Sequence, residues 1–184
     1  MHEFELINKY FSKLSNRSKG SLNLNDDVFF DKTNKLVISV DTYVEGNHFF
    51  NFKNPDLVIK KIIRSSISDL ICKGVRPKYY FLSASGSRKV FTKNNLAKIS
   101  KSLKEEQKKY NIILGGGDTV KSNKLSFTVT SIGFSNKIIY RNRSKINDDI
   151  YVTGSIGDSF LGLLVLKNKI KLNKKLSTYF INQY

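Results

Sequence analysis

Residues 35–43 read KLVISVDTY, and this stretch decides the fold class. Its apolar and β-branched residues predict a strand, preceded by a shorter one near Val28–Phe30. Apolar periodicity and turn residues predict further strands at 79–85, 111–114, 125–134 and 150–152, and helices at 3–15, 54–74, 93–110 and 159–166. The order β-β-α-β-α-β-β predicts an α+β domain, with helices on one face of a mixed, largely antiparallel sheet.

The composition excludes several classes of protein. Hydrophobic residues make up 40% of the 184 positions, enough to bury a core, so wholesale disorder is excluded. The single cysteine, Cys72, excludes a disulfide framework and any zinc or iron–sulfur site built on cysteines. No apolar run approaches the roughly 18–20 residues that a membrane helix needs, and the N-terminal residues lack the features of a signal peptide. We therefore expect a cytoplasmic protein without a membrane partner.

The net charge of +17 suggests a nucleic-acid binder at first sight. The basic residues, however, are 26 Lys and only 6 Arg. Lys, Asn and Ile are the residues that AT-rich codons favour, and Arg is the better bidentate reader of phosphate and guanine. The basic residues are also dispersed along the chain. This distribution favours a solvated basic surface, and we expect no nucleic-acid partner.

The acidic residues are fewer and more informative. Asp26 and Asp27 precede a short strand, Asp41 ends an apolar strand, Asp69 lies inside an apolar helix, and Asp118 follows three glycines. Each could pair with a lysine, since an unpaired charge on a buried face is costly. Together they could instead hold Mg²⁺, which proteins bind through a few carboxylates and the phosphates of a substrate.

Residues 115–119, GGGDT, allow two interpretations. Glycines after a strand let backbone N–H groups approach a phosphate closely, and they also form tight turns. The spacing matches neither GxxxxGK[ST] nor GxGxxG, so a P-loop and a Rossmann fingerprint are excluded.

Taken together, several segments resemble the thiamine-phosphate kinase family. They are EFELINKYF at 3–11, Asp26-Asp27, SVDTYVEGNHF at 39–49, ISDLICKGVRP at 67–77 with the preceding Ser66, GGGDT, Arg141, and IYVTGSIGDSFLGL at 150–163. The wider superfamily includes aminoimidazole ribonucleotide synthetase and selenophosphate synthetase, and the histidine of EGNHF favours the thiamine branch. The resemblance covers the whole chain, which corresponds to little more than the family's N-terminal half.

The resemblance implies a function and a set of site residues. The activity is ATP-dependent phosphorylation of thiamine monophosphate to thiamine diphosphate, by in-line transfer assisted by Mg²⁺, without a nucleophilic side chain. It implies a homodimer formed through the sheets of the N-terminal domains. The implied residues are Asp27, Ser39, Val40 (through its backbone), Asp41, Asp69 and Asp118 for magnesium, Gly117, Asp118 and Arg141 for ATP, and His48 for the substrate.

The resemblance also implies a domain division and shows one notable departure. Residues 1–140 correspond to the domain that binds ATP and magnesium and dimerises, and residues 141–184 to a linker and the beginning of a second α/β domain. The family's Gly-x-Gly before the paired Asp is Asn23-Leu24-Asn25 here, and Asn tolerates left-handed backbone better than other non-glycine residues. The alternative function is a truncated or degenerate member that folds and dimerises without turnover.

Overall fold

A five-stranded sheet forms the centre of the fold. Its strands are β1 (Phe29–Asp31), β2 (Leu36–Val44), β3 (Pro77–Gly86), β4 (Ile113–Lys121) and β5 (Ser126–Phe134). They lie in the order β1-β2-β5-β3-β4, and every neighbouring pair is antiparallel except β3 and β4. The prediction of a mixed, largely antiparallel sheet is confirmed.

The five strands and the two long helices between them follow the predicted order β-β-α-β-α-β-β. The computed structural model describes residues 2–184, and its helices are α1 (Glu3–Leu6), α2 (Ser12–Ser15), α3 (Pro55–Cys72), α4 (Lys93–Tyr110), α5 (Asp158–Leu166) and α6 (Lys174–Gln183). A π-helical turn joins α1 to α2, so the predicted opening helix forms as one helical run. None of the helices in residues 2–184 is long and apolar enough to cross a membrane.

Helix α3 is the main element packed on the sheet. Its isoleucines Ile59, Ile62 and Ile63 are completely buried, and β5 presents Val129 to the same core. Pro55 fits the first turn, because a proline there removes an N–H that has no helical partner. Gly74, with φ +73°, takes the left-handed conformation that commonly follows a helix end. The helix therefore starts and stops close to the predicted positions 54 and 74.

Helix α4 packs against α3 through a charged contact. Glu106 is 2% exposed and accepts two hydrogen bonds from Arg64 of α3, at 2.8 Å from Nε and 2.7 Å from the terminal nitrogen. Thr92 caps the first turn of α4 by accepting a hydrogen bond from Asn95 N, and Asn111 ends the helix with φ +53°. The paired geometry satisfies a carboxylate that would otherwise be buried unpaired.

The opposite face of the sheet carries exposed apolar side chains, and we call it the open face. Register places Val40, Phe81 and Phe134 there, since side chains of paired residues share a face. Their exposed fractions are 61%, 39% and 48%.

By their contacts, the described residues form two units with the boundary between Arg143 and Ser144. In the second unit α5 and α6 approach closely: a Cβ on Gly162 would lie 2.1 Å from the carbonyl oxygen of Phe180. Tyr179 donates a 2.8 Å hydrogen bond to Asp158.

Two local predictions are wrong. Residues 150–152 form no strand, and Ile150 is 93% exposed, because they have no neighbouring strand with which to pair. Residues 115–119 form no turn after a strand either, since they lie inside β4. Glycine has a low strand propensity, and pairing with the backbone of β3 holds these residues in a strand.

Candidate functional site

Two carboxylates face each other where β2 lies beneath α3. Strand alternation places Ser39, Asp41 and Tyr43 on the helix side of β2. Ser39 Oγ donates a 2.9 Å hydrogen bond to Asp69 of α3, and the hydroxyl of Tyr43 donates one of 3.1 Å to Asp41. Two of the predicted metal ligands, Asp41 and Asp69, are therefore brought together, each oriented by a neighbouring hydroxyl.

The two carboxylates of the pair are partly desolvated, and each disfavours the charge of the other. Burial, together with the charges of Asp41 and Asp27, raises the pKa of Asp69 to about 6. Burial likewise raises the pKa of Asp41, with Asp27 adding to the effect. Two partly desolvated carboxylates that repel each other attract a cation.

Asp26 and Asp27 lie beside this pair and are held by two basic residues. Lys73 Nζ lies 2.5 Å from Asp26 Oδ1 and 3.7 Å from Asp27 Oδ2. Arg141 binds both acids, donating from its backbone N to Asp26 at 3.4 Å and from its guanidinium to Asp27 at 3.3 Å. The structure thus connects Asp27 and Arg141, which were predicted for magnesium and ATP.

A shallow pocket of about 240 Å³ opens next to these acids. Its walls include Asp26, Asp27, Ser39 and Val40. Three predicted metal residues therefore line one concave surface, although the side chain of Val40 lies on the open face.

The acids fit a magnesium ion that is completed by a phosphorylated ligand. Within residues 2–184 no three His, Cys, Asp or Glu side chains form a complete metal-binding group. Mg²⁺ in phosphoryl-transfer proteins, however, is usually held by one or two carboxylates, several waters and the substrate phosphates. Asp41 and Asp69 supply that number of carboxylates.

Gly117 and Asp118 are not brought to this cluster. Asp41 pairs with Val129, Val129 with Leu82, and Leu82 with Gly117, so Gly117 lies three strands from Asp41, or roughly 14 Å at normal strand spacing. Asp118 pairs with Ser83 of β3, and Ser83 pairs with Thr128 of β5. These three residues lie side by side, and their side chains share the open face.

His48 lies in the loop after β2 and is exposed. Its Nδ1 accepts a 3.0 Å hydrogen bond from the backbone N of Val44, and its ring meets Tyr43 edge-on at 5.8 Å. The backbone bond leaves Nε2 as the nitrogen available to a ligand.

Lys73 and Tyr43 belong to the site but were not predicted. A lysine beside a glycine at a helix end suggests a solvated side chain, whereas Lys73 is 3% exposed. Its spacing of four residues from Asp69 on one helix was the available signal, because such residues lie on the same face. Tyr43 carries no comparable signal, since an aromatic residue in a strand normally indicates core.

The loop before Asp26 adopts an unusual backbone. Leu22, Asn23 and Leu24 all have positive φ, at 52°, 57° and 56°. Asn23 thus takes the left-handed form that its residue type tolerates, whereas Asn25 does not, with φ −104°. Left-handed leucines are strained, and the surrounding structure must hold them in place.

Comparison with known families is consistent with this geometry. Residues 25–135 match the family described as AIR synthase related protein, N-terminal domain, which is more than half of the chain. The matched range contains the whole sheet, both large helices and the Asp41–Asp69 pair.

Individual relatives confirm the resemblance to thiamine-monophosphate kinases. The chain is 36% identical over 191 residues to the thiamine-monophosphate kinase of Buchnera aphidicola subsp. Acyrthosiphon pisum, covering 99% of this chain and 58% of that protein. It is 37% identical over 169 residues to that of Haemophilus influenzae, covering 89% and 51%. The chain therefore spans between half and three-fifths of the length of these relatives.

A solved structure gives the same result for the fold. AaThiL complexed with AMPPCP and TMP matches with a TM-score of 0.84 and 25% identity, covering 98% of this chain and 57% of that one.

Proposed function

From the premise that this chain belongs to the family of AIR synthase related proteins through its N-terminal domain, we propose that the protein it forms phosphorylates thiamine monophosphate with ATP. The observation that carries the proposal is the Asp41–Asp69 pair, two half-buried carboxylates with raised pKa values between β2 and α3. The relatives named as thiamine-monophosphate kinases, and the structure that contains AMPPCP and TMP, support the choice of substrates.

Asp41 and Asp69 would hold Mg²⁺, with Asp27, Ser39 and the backbone of Val40 next to them. A bound Mg²⁺ supplies neutralisation of the charge that develops on the transferring phosphoryl group. The hydroxyls of Ser39 and Tyr43 orient the two carboxylates before any ligand arrives. This preorganisation favours positioning and charge stabilisation over covalent catalysis.

The ligands would be held by residues around this pair. Arg141, bonded to Asp27, presents a guanidinium suited to phosphate oxygens, and we assign it with Gly117 and Asp118 to ATP. His48 is assigned to the substrate, because its Nδ1 accepts the backbone hydrogen bond and its Nε2 remains available. We assign the nucleotide and magnesium part to residues 1–140 and the beginning of a further domain to 141–184.

A homodimer through the open face completes the proposal. Exposed apolar side chains on neighbouring strands, as at Val40, Phe81 and Phe134, are typical of a protein interface. Asp118 lies on this same face, so a second copy docked there would place Asp118 at or beside the interface.

A chain that folds and dimerises without turnover is the second candidate. The observation that favours it is the distance between Asp118 and the Asp41–Asp69 pair in a single chain. An assay of thiamine diphosphate formation separates the two candidates, because only the first yields product.

Calorimetric titration of the full chain with AMPPCP and Mg²⁺ tests the magnesium site. We expect Asp41→Asn to weaken binding of Mg-AMPPCP by at least about a hundredfold, since charge-assisted contacts of this kind contribute roughly 3 kcal/mol. Asp31→Asn is the matched control, because Asp31 is an acid outside the cluster whose turn to Asn34 an asparagine preserves. Equal affinities for the wild type and the Asp41 variant would overturn the assignment.

A further inference from the structure

Helix α3 carries three basic residues, and they lie on two different faces of the helix. Lys60 forms an ion pair with Glu105 at 2.7 Å. Arg64, one turn later, donates two hydrogen bonds to Glu106. Both acids belong to α4, so these two cations lie on the side of α3 that faces α4. Lys61 is the third basic residue, and it lies on the next face around the helix.

Helical spacing places Lys61 in line with Ser65 and Asp69. The three residues are four positions apart, and side chains with this spacing are neighbours on a helix surface, with roughly 5–6 Å between their Cβ atoms. The side chain of Ser65 interacts with the hydroxyl of Tyr43, which donates a hydrogen bond to Asp41. The line from Lys61 to Asp69 therefore runs along the candidate site, with a carboxylate at one end and an ammonium group at the other.

The loop after β2 lies near the same end of the site as Lys61. Its Phe49 is 2% exposed and belongs to the core cluster that contains Ile62, the residue after Lys61. His48 directly precedes Phe49, and its ring meets that of Tyr43 edge-on. The histidine assigned to the substrate and Lys61 are thus placed at the same end of the candidate site.

The surroundings of Lys61 favour contact with an anion. The side chain is half-buried, and burial lowers the pKa of Lys61 below the ordinary value of a lysine. A negatively charged ligand offsets this desolvation, because two opposite charges attract more strongly in a partly dry site than in water. Lysine binds phosphate groups as a compact charge on a flexible four-carbon stem.

We propose that Lys61 is a further binding residue for the acceptor substrate, and that its ammonium group contacts the phosphate of thiamine monophosphate at the His48 end of the site. This inference rests on the proposed function for the identity of the acceptor. It adds the side chain that distinguishes thiamine monophosphate from thiamine. Lys61 acts in binding and has no part in the transfer of the phosphoryl group.

Calorimetric titration of the full chain in MgCl₂, with thiamine monophosphate and with thiamine, tests the inference. Lys61→Met removes the ammonium group and keeps an unbranched side chain. We expect its affinity for thiamine monophosphate to fall at least about tenfold, the effect of losing one charge-assisted hydrogen bond, and its affinity for thiamine to stay unchanged. Lys61→Arg keeps the charge and should retain most of the affinity for thiamine monophosphate.

Lys60→Met is the matched control, because it removes the adjacent lysine and the same net charge. Its ammonium group faces Glu105 of α4, and the variant should bind thiamine monophosphate as the wild type does. An unchanged affinity of Lys61→Met for thiamine monophosphate overturns the inference. Equal losses for thiamine monophosphate and thiamine also overturn it, since that is the result expected of a lysine whose stem only covers apolar surface.

Binding of Mg-AMPPCP gives a second reference for the same variants. We expect Lys61→Met to bind Mg-AMPPCP as the wild type does, and a parallel loss of this affinity would show general damage to the site and overturn the specific role of Lys61. If Lys61→Met does not fold, Lys61→Gln replaces it, because glutamine is neutral and tolerates partial exposure. The same outcomes then support or overturn the inference.

The two proposals fail in different ways. Equal binding of thiamine monophosphate by the wild type and by Lys61→Met overturns the role of Lys61 and leaves the proposed substrates in place. If the wild type binds Mg-AMPPCP and does not bind thiamine monophosphate, both the proposed acceptor and the role of Lys61 are overturned.

Discussion

The carboxyl group of Asp69 links the candidate site to the stability of the fold. Its pKa of about 6 in the folded chain lies above the ordinary value of 3.8, because burial and the neighbouring Asp41 disfavour its charge. A group that binds its proton more tightly in the folded state stabilises that state when protonated. This contribution is fully present below about pH 3.8 and is lost as the pH rises through about 6.

Asp69→Asn should therefore stabilise the metal-free protein above pH 6. Asparagine keeps an oxygen for the hydrogen bond from Ser39 and removes the repelled charge. After a discount for solvent screening, we expect about 1 kcal/mol at pH 8, or about 2–4 °C in Tm for a chain of this size, with the difference vanishing near pH 4. The measurement is thermal unfolding in EDTA across this pH range.

Asp31→Asn serves as the control for that experiment. Hydrogen bonds from Asn34 lower the pKa of Asp31, so the loss of this charge should not raise Tm at pH 8. A Tm for Asp69→Asn at or below that of the wild type at pH 8 would contradict the explanation.

At the scale of single residues, sequence reasoning identified Asp41 and Asp69 because a charged residue in an apolar strand or helix is costly without a partner or a ligand. It could not identify the partners of these acids. The burial of Lys73 depends on Asp26, which lies 47 positions earlier and is brought close only by the complete fold. Contacts of that kind leave no periodic signal in a sequence.

Among the elements, β4 departs most from its sequence pattern. Three consecutive glycines disfavour a strand, yet β3 holds them in one. Helix α3 is the opposite case: the proline at its start, the glycine after its end and its apolar spacing all agree, so its bounds were predicted to within two residues. Local signals define an element well when its own residues stabilise it and poorly when a neighbour does.

Gly117→Ala should weaken β4 markedly. A Cβ at this position would lie 1.8 Å from the carbonyl oxygen of Leu82, so the backbone of β3 or β4 would have to move. We expect a loss of about 2–3 kcal/mol in the free energy of unfolding, the upper part of the range for overpacking, measured by urea denaturation.

Gly115→Ala is the matched control in the same strand. Its Cβ would meet the end of the Phe81 ring at 2.8 Å, and that ring is 39% exposed and free to shift. We expect a loss below about 1 kcal/mol. Equal losses for the two variants would show that the backbone contact of Gly117 is not the determining one.

At the scale of the whole molecule, the proposed dimer explains why the open face of a single chain exposes apolar side chains. Phe134→Lys places a charge on this face, and two copies meeting there would each bury it. We expect light scattering after size-exclusion chromatography to report a monomer, with a dimer for the wild type.

Leu57→Lys controls for the loss of an exposed apolar side chain elsewhere. Leu57 lies on α3 and is 58% exposed, more than Phe134. The variant should remain a dimer. A dimeric Phe134→Lys protein, or a monomeric wild type, would refute the proposed interface.

The position of β5 in the sheet has a consequence for synthesis on the ribosome. This strand is the last of the five to be translated, and it is the one that joins β2 to β3. Until residues 126–134 emerge, the nascent chain holds only two separate strand pairs, each marginal alone. The five-stranded sheet therefore assembles late and in one step, and pairing between strands far apart in the sequence slows folding. The strands on either side stay vulnerable to proteases and to pairing with other chains until β5 is inserted.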